Sequence, residues 1–230
     1  MPSFVDVGTF QSGAGTLSVP APAGIVNGDF LILLIHSANQ TITTPTTTTG
    51  TWTQIGDQTV QATGTAGAQG AVRLGVYYKF TTGTEANAAV ADSGDLNVAQ
   101  MLAYRGVDRL APFADNAGGA QASAAAAPTL PAVSPAMPDC KIVFGLAVGR
   151  DANSTANYNA LTNANLTNIN ERIDRTVNTN TGGGLAAWDA DDTTTGSTGT
   201  STTTKNGAWT DANAYLTMAL RPKRRVISFS

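Results

Sequence analysis

The chain has 230 residues, a formal net charge of −3, 42% hydrophobic residues and only 13% charged residues. This hydrophobic share supports a substantial core, and the negative balance argues against general nucleic-acid binding, which requires a basic face. The single cysteine, Cys140, excludes an internal disulfide. Thr, Asn, Ala and Gly replace the missing charges; Thr is common in strands and Gly and Asn in turns, so the composition indicates β-structure.

The first part of the chain predicts neither a leader nor a membrane segment. Residues 1–6 contain no basic region followed by an apolar run, so we expect no signal peptide and synthesis in the cytoplasm. The longest apolar run, residues 30–35, is too short to cross a bilayer. Its length and composition instead predict a strand that is covered on both faces.

Four more segments carry strand signals. The clearest is the alternation around Leu216 and Met218, and no segment of useful length keeps apolar residues at helical spacing. The four segments are 72–80, 98–104, 141–148 and 214–220. The pattern therefore predicts an all-β protein.

Thr/Gly/Asn-rich stretches separate these segments. In isolation such composition is typical of flexible loops, and in a dense assembly neighbours would order it. The stretches are 41–50, 59–70, 178–184 and 193–207.

A weak internal repeat relates the two halves of the chain. The matched segments are 4–6 with 113–115, 28–34 with 138–144, 74–78 with 184–188, and 101–106 with 217–222. We predict a single jelly-roll-like β-sandwich over residues 1–222, with pseudo-repeats at about 4–108 and 113–222, followed by a basic tail at 223–230. Two separate small barrels are the alternative, but Leu130 and Val133 occupy core-like positions that a linker between barrels would not need.

Several segments together resemble a β-sandwich family that is common among structural proteins of tailed phages and prophages. The pattern is a Gly-Asp strand, a Trp-Thr segment, a Tyr-Tyr strand ending in a Thr-Gly-Thr-Glu turn, and an Ala-Tyr-Arg-Gly-Val strand. The segments that carry it are Gly28-Asp29-Phe30-Leu31-Ile32, Trp52-Thr53-Gln54-Ile55-Gly56, Val76-Tyr77-Tyr78-Lys79-Phe80-Thr81-Thr82-Gly83-Thr84-Glu85, Leu102-Ala103-Tyr104-Arg105-Gly106-Val107-Asp108 and Pro112-Phe113-Ala114-Asp115.

The resemblance covers most of residues 24–222 and implies a virion component made in the host cytoplasm. Members of this family occur in head decoration proteins, tail appendages and fibre-associated modules. The resemblance supplies no catalytic residue. The long Thr-rich insertions and the basic C-terminal tail depart from the family pattern.

Residues that could carry catalysis are sparse. His36 is the only histidine, no Gly-x-Ser-x-Gly segment is present, and Cys140 lies in a strand-like run. The glycines at 182–184 lack the Lys-Ser/Thr and helix of a phosphate-binding loop, which favours a flexible turn. We therefore expect no enzymatic activity and no cofactor; paired carboxylates for glycan hydrolysis are a remote alternative.

Three carboxylates cluster late in the chain, at Asp189, Asp191 and Asp192. Oxygen ligands of this kind bind Ca²⁺, but the spacing does not match an EF-hand loop. A solvated acidic turn is the preferred interpretation, so no metal site is predicted.

Four aromatic residues, Trp52, Tyr158, Trp188 and Trp209, lie near predicted strand ends. On exposed loops they would form a stacking platform for sugars. Aromatic residues in such places are more often core or interface anchors, and this is the favoured interpretation.

The C-terminus combines cations with an apolar end. The cations are Arg221, Lys223, Arg224 and Arg225, and Phe229 lies in the strand-like segment that follows them. This arrangement suggests docking onto an acidic neighbour or the addition of a strand to that neighbour's sheet.

The leading hypothesis is a non-enzymatic phage structural protein, a head decoration protein bound to the capsid lattice. The charge-poor composition suits a subunit in a dense assembly. We expect other virion proteins as partners, a homo-oligomer or lattice-bound multimer, and no nucleic acid or membrane. The alternative is a tail appendage or receptor-binding module that recognises host surface glycans through the aromatic residues.

Overall fold

The structure is a computed structural model that describes residues 1–38, 40–61, 71–124 and 126–224; it leaves the side chains of residues 56–61, 123 and 124 undescribed. Within these ranges every helix or strand assigned is a β-strand, which confirms the predicted all-β class. None of the described residues forms a helix long and apolar enough to span a membrane.

Fifteen strands make up the described chain. The first half contributes β1 Ser3–Val7, β2 Gln11–Gly13, β3 Leu17–Val19, β4 Phe30–Ser37, β5 Thr53–Gln61, β6 Arg73–Phe80, β7 Ala88–Val90 and β8 Asn97–Arg105. The second half contributes β9 Phe113–Ala124, β10 Thr129–Leu130, β11 Cys140–Val148, β12 Thr167–Val177, β13 Gly183–Asp192, β14 Ser201–Thr202 and β15 Asp211–Leu220.

Each half builds one antiparallel sheet. The first sheet has the order β1-β8-β4-β6-β5, with β2 also on β8, and the second has the order β9-β15-β11-β13-β12. Strands that carry matched sequence segments occupy equivalent places in the two orders, and the small pairs β3-β7 and β10-β14 correspond as well. The jelly-roll detail of the prediction is not confirmed, because each half forms a sheet of its own instead of sharing its strands between both sheets.

The strand pairing in the two sheets shows that one of the matches in the sequence repeat is displaced by one residue. The repeat matched Tyr104 with Leu220 and Phe30 with Cys140. In the first sheet Phe30 pairs with Tyr104, whereas in the second the partner of Leu220 is Lys141. Lys141 is therefore the counterpart of Phe30, and the match with Cys140 is wrong by one residue. Because strand side chains alternate between faces, that one-residue error exchanges the inner and outer faces.

Three apolar layers hold the fold together. The central layer lies between the two sheets and contains Phe30, Leu34, Val143 and Leu216. The other two layers lie on the outer faces of the sheets, so both sheets are covered on both sides, as the continuous apolar run at 30–35 predicts. Leu130, at a predicted core position, is buried in one of these outer layers.

The Thr/Asn-rich segments form the outer covers. Thr46 makes a bridge to Ala89, and Thr162 makes one to Thr202. Thr203 also donates a hydrogen bond of 2.6 Å to the Asn159 carbonyl. The chain itself therefore orders these segments in the described ranges, without the help of a neighbour.

A charged cluster joins the two sheets at one end. Arg172 donates two hydrogen bonds to the buried Asp189 carboxylate, at 2.8 and 3.0 Å, and the Tyr104 hydroxyl donates a third at 3.3 Å. The Arg172 guanidinium also lies 3.8 Å from the centre of the Phe4 ring. Burial, and then the charge of Asp189, raises the pKa of Tyr104 well above its usual value, so its hydroxyl stays a donor.

The two halves use different chemistry at matched positions. In the first half the Phe30 and Phe80 rings pack with centroids 4.9 Å apart. In the second half the residues at the corresponding positions are Lys141 and Asp191, which form an ion pair. Aromatic packing in one half is thus replaced by charge pairing in the other.

At the opposite end of the strands, His36 packs tightly against Gly183. A Cβ atom added to Gly183 would lie 2.1 Å from His36 Cε1, so only glycine fits there. His36 is fully buried, and neither ring nitrogen has a hydrogen-bond partner among the described residues. The glycine run at 182–184 is therefore a close-packing element, and the expectation of a flexible turn is wrong for Gly183.

Candidate functional site

The ends of the two sheets are tied together at the end of the strands where Arg105 lies. Val107 forms a bridge to Pro222, the Asp108 amide donates to the Arg221 carbonyl at 3.0 Å, and the Lys223 amide donates to the Gly106 carbonyl at 2.7 Å. Residue 223, predicted to be the first residue of the basic tail, is thus held to the sandwich. We call this surface the basic end and define it by Met1 and residues 26–29, 105–110, 137–139 and 221–224.

An ion pair organises the first half of the basic end. Arg105 donates from Nε to Asp29 Oδ1 at 2.8 Å and from Nη2 to Asp29 Oδ2 at 2.7 Å. Asp29 is buried, and its Oδ2 also accepts from the Val26 amide at 2.8 Å. Burial alone would raise the pKa of Asp29, but these hydrogen bonds and the charge of Arg105 hold that pKa below its usual value.

Four cations stand exposed on the basic end: Arg105, Arg109, Lys223 and Arg224. Arg109 lies 5.4 Å from the centre of the Phe80 ring, which fixes its direction. Arg224 forms an ion pair with the buried Asp108 carboxylate, with 3.4 Å between Arg224 Nε and Asp108 Oδ2. The surface is therefore locally positive on a chain whose net charge is −3.

Exposed apolar side chains gather at the same place. Within the ranges that the structure describes, the large hydrophobic residues that stand exposed are Met1, Val26 and Leu110, at 43%, 50% and 89%. All three belong to the basic end. Methionine and arginine, both present here, are enriched in protein interfaces relative to the rest of the surface.

Two pockets indent this surface. One, of about 250 Å³, lies beside Arg105 and Arg109. The other, of about 520 Å³, lies beside Asp139 and Arg224. Lys223 lines both, so the pockets are neighbours.

The predicted docking residues fall partly on this surface. Lys223 and Arg224 are exposed there, Arg221 is half-buried, and Arg225 and Phe229 lie outside the described residues. Sequence reasoning did not single out Arg109 and Leu110, which are exposed on the same surface. The sequence signal available for these two residues was the polar-to-apolar run Asp108-Arg109-Leu110, shortly after the end of β8.

The four aromatic residues do not form an exposed platform. Trp52, Tyr158 and Trp188 are buried, and Trp52 lies on the outer face of the first sheet while the other two lie on that of the second. Trp209 packs edge-on against Tyr158, with ring centroids 5.4 Å apart. The favoured interpretation as core anchors therefore describes Trp52, Tyr158 and Trp188, and these three residues do not form the exposed platform of the alternative.

The three aspartates lie within β13, not in a solvated turn. Asp189 bonds to Arg172, Asp191 to Lys141, and Asp192 to the Thr194 amide and hydroxyl. Asp189 and Asp191 share one face of the strand, and Asp192 points to the other. The acidic-turn interpretation is therefore wrong. No group of three potential metal ligands comes together among the described residues.

The fold is an all-β sandwich of two main antiparallel sheets. No protein-family model, no curated protein and no solved structure matches the chain. The comparisons therefore do not connect it to the phage β-sandwich family, and that resemblance stays a prediction.

Proposed function

We propose that this chain is a non-enzymatic structural subunit that docks through its basic end onto an acidic, partly apolar surface of a neighbouring protein. The observation that carries the proposal is the coincidence of the exposed cations Arg109, Lys223 and Arg224 with the exposed side chains of Val26 and Leu110. Exposed cations without apolar neighbours would indicate only a solvated face. Single exposed apolar side chains are common on protein surfaces and would not by themselves indicate a binding site.

The expected energetics favour many weak contacts over one strong contact. An exposed ion pair contributes only about 0 to 1 kcal/mol. Burying an exposed leucine side chain contributes about 1.5 to 3 kcal/mol. One Leu110 contact with a few ion pairs thus gives modest affinity, which repetition on a lattice would multiply.

The finer form of the proposal is a head decoration protein of a tailed phage, a virion protein bound to the capsid lattice. The sequence resemblance supports it, and so does the charge-poor composition, because subunits that carry few charges repel each other little when crowded. The capsid lattice would supply the acidic surface. The glycan-binding alternative lacks support here, since three of its four proposed aromatic residues are buried.

The test is occupancy on particles purified from the phage or lysogen that encodes the chain. Wild-type protein should be present in many copies, and moderate salt should reduce its occupancy because salt screens exposed charges. Arg109→Glu and Leu110→Ser should each reduce occupancy several-fold. Arg175→Glu is the matched control: Arg175 is an exposed cation on β12, outside the basic end, and the substitution makes the same change in charge.

Two outcomes would overturn the proposal. If purified particles contained none of this chain, the decoration role would fail. If Arg109→Glu and Arg175→Glu lowered occupancy equally, general charge and not the basic end would govern attachment.

A further inference from the structure

The two halves of the sandwich differ at one matched position of the basic end. Since Lys141 is the counterpart of Phe30, the residue before it, Cys140, is the counterpart of Asp29. Backbone geometry supports this match: Gly28 and Asp139, which precede these residues, both have positive φ, at 90° and 61°. A thiol therefore stands in the second half where the first has a carboxylate.

Both side chains form a hydrogen bond with the backbone three residues earlier. Asp29 Oδ2 accepts a hydrogen bond from the amide three residues earlier, that of Val26. Cys140 Sγ donates to the carbonyl three residues earlier, that of Met137, at 3.5 Å. Burial, and then the charge of Asp192, raises the pKa of the Cys140 thiol to about 11, so the thiol is neutral and supplies no counter-charge.

The arginines at the ends of the two matched strands, Arg105 and Arg221, differ in whether they have a hydrogen-bond partner within the described chain. Arg105 follows Tyr104 and is held by two hydrogen bonds to Asp29. Its counterpart Arg221 follows Leu220, and the Arg221 side chain makes no hydrogen bond or ion pair with any described residue. Arg221 Nε is buried and has no hydrogen-bond partner among the described residues, which is unfavourable for a charged group.

Pro222 and Lys223, the two residues that follow this arginine, line the larger pocket of the basic end. Its walls include Lys223 and Arg224, while Met1 and Met137 supply apolar surface. The carboxylate on its wall is the exposed Asp139. The smaller pocket, in contrast, contains Asp29 already paired with Arg105, so Arg105 has a partner within the chain.

We infer that the larger pocket receives the carboxylate of an acidic side chain from the docking partner, which pairs with Arg221, Lys223 and Arg224 as Asp29 pairs with Arg105. This inference rests on the proposed docking function and adds the chemistry of the contact. Arginine suits the role because its planar group binds a carboxylate through two parallel hydrogen bonds. The partner would thus supply to the second half a carboxylate that corresponds to Asp29 of the first half.

The site can be tested in the intact chain without any partner. Protein labelled with ¹⁵N-arginine is titrated with sodium acetate, against sodium chloride at equal ionic strength, while the Nε–Hε signals are followed by NMR. The signal of Arg221, identified by its loss in Arg221→Lys, should shift with acetate, saturate and not respond to chloride. The signal of Arg105, which already donates to Asp29, should not move. Equal shifts of both signals, or none at Arg221, would overturn the inference.

Two substitutions sharpen the test. Cys140→Asp introduces the missing carboxylate, so the Arg221 response to acetate should be lost and occupancy on particles should fall. Cys140→Asn is the matched neutral control, and both properties should be retained. If Cys140→Asp did not fold, the titration of the wild-type protein would still decide whether the site binds a carboxylate.

The two proposals fail in different ways. If acetate shifted the Arg221 signal but wild-type protein were absent from particles, the decoration role would be wrong while the site stood. If acetate shifted the signal but a folded Cys140→Asp variant loaded as fully as wild type, the pocket would take small carboxylates only. The inference of an acidic side chain from the partner would then be wrong.

Discussion

His36 should make the stability of this protein fall in mild acid. The ring lies between Leu74 and Val98 on the neighbouring strands and against Gly183 of the facing sheet, and none of these residues carries charge. Burial therefore lowers the pKa of His36 from its ordinary 6.5 to about 3. The folded state holds the ring neutral, whereas the unfolded chain allows it to take up a proton.

The sign and size of the effect follow from this difference. Because the folded pKa is lowered, the contribution to stability is full above pH 6.5 and declines as the pH falls towards 3. Each pH unit in that window corresponds to about 1.4 kcal/mol, so the loss is about 2 kcal/mol at pH 5 and about 5 kcal/mol in all.

The assay is equilibrium urea unfolding at several pH values between 7.5 and 4.5. Wild type is compared with His36→Leu, which removes the titrating group and leaves every carboxylate in place. The free energy of unfolding should fall more steeply with decreasing pH in wild type, by about 2 kcal/mol at pH 5. Parallel pH profiles for the two proteins would refute the argument, as would an NMR titration of His36 with a pKa near 6.5.

Three further predictions concern the core. Gly183→Ala should destabilise the fold by about 1 to 3 kcal/mol by overpacking against His36, and urea unfolding of the variant combined with His36→Ala should show a smaller cost for the added methyl. Leu216→Ala should cost about 2 to 5 kcal/mol in a single cooperative transition, since Leu216 lies between the sheets; two separate thermal transitions would contradict the shared core. Asp189→Ala should cost about 3 kcal/mol because it leaves Arg172 unpaired, and replacing both residues with leucine should cost less; equal costs would show that the pair has no specific role.

The central strands could be predicted from sequence because their signal is local. Residues 30–35, 98–104 and 141–148 fall inside β4, β8 and β11, and the predicted segment 214–220 lies inside β15. Each combines apolar side chains with turn residues at its ends, and burial on both faces lets apolar residues occupy nearly every position.

The edge strands could not be predicted in the same way. The sequence of β9, Phe113–Ala124, is rich in Ala, Gly, Asn and Ser, and β12, Thr167–Val177, is largely polar. Both are strands because they pair with β15 and β13, and this pairing between distant parts of the chain leaves no local pattern. The outer covers were also missed as ordered structure, because their Thr and Asn side chains bond to partners far away in sequence.

The candidate site was predicted only in part. A run of cations indicated docking at Lys223 and Arg224, but nothing local connects these residues to Arg109 or Leu110. The connection arises where Lys223 bonds to the end of β8, and it could be seen only with the two halves in place. The one-residue error in the repeat also concealed the exchange of Asp29 for Cys140.

The exchanged pairs have a consequence for how such a molecule can change. In a symmetric dimer of identical chains, every substitution appears twice, once on each side of the axis. Here the two matched halves belong to one chain, so a substitution alters one side alone. Phe30 packs as an aromatic ring, whereas its counterpart Lys141 carries a charge. Asp29 forms an ion pair with Arg105, whereas its counterpart Cys140 is a free thiol. The basic end is therefore asymmetric: the side formed by the first sheet differs chemically from the side formed by the second. A partner that contacts both sides can bind in one orientation only.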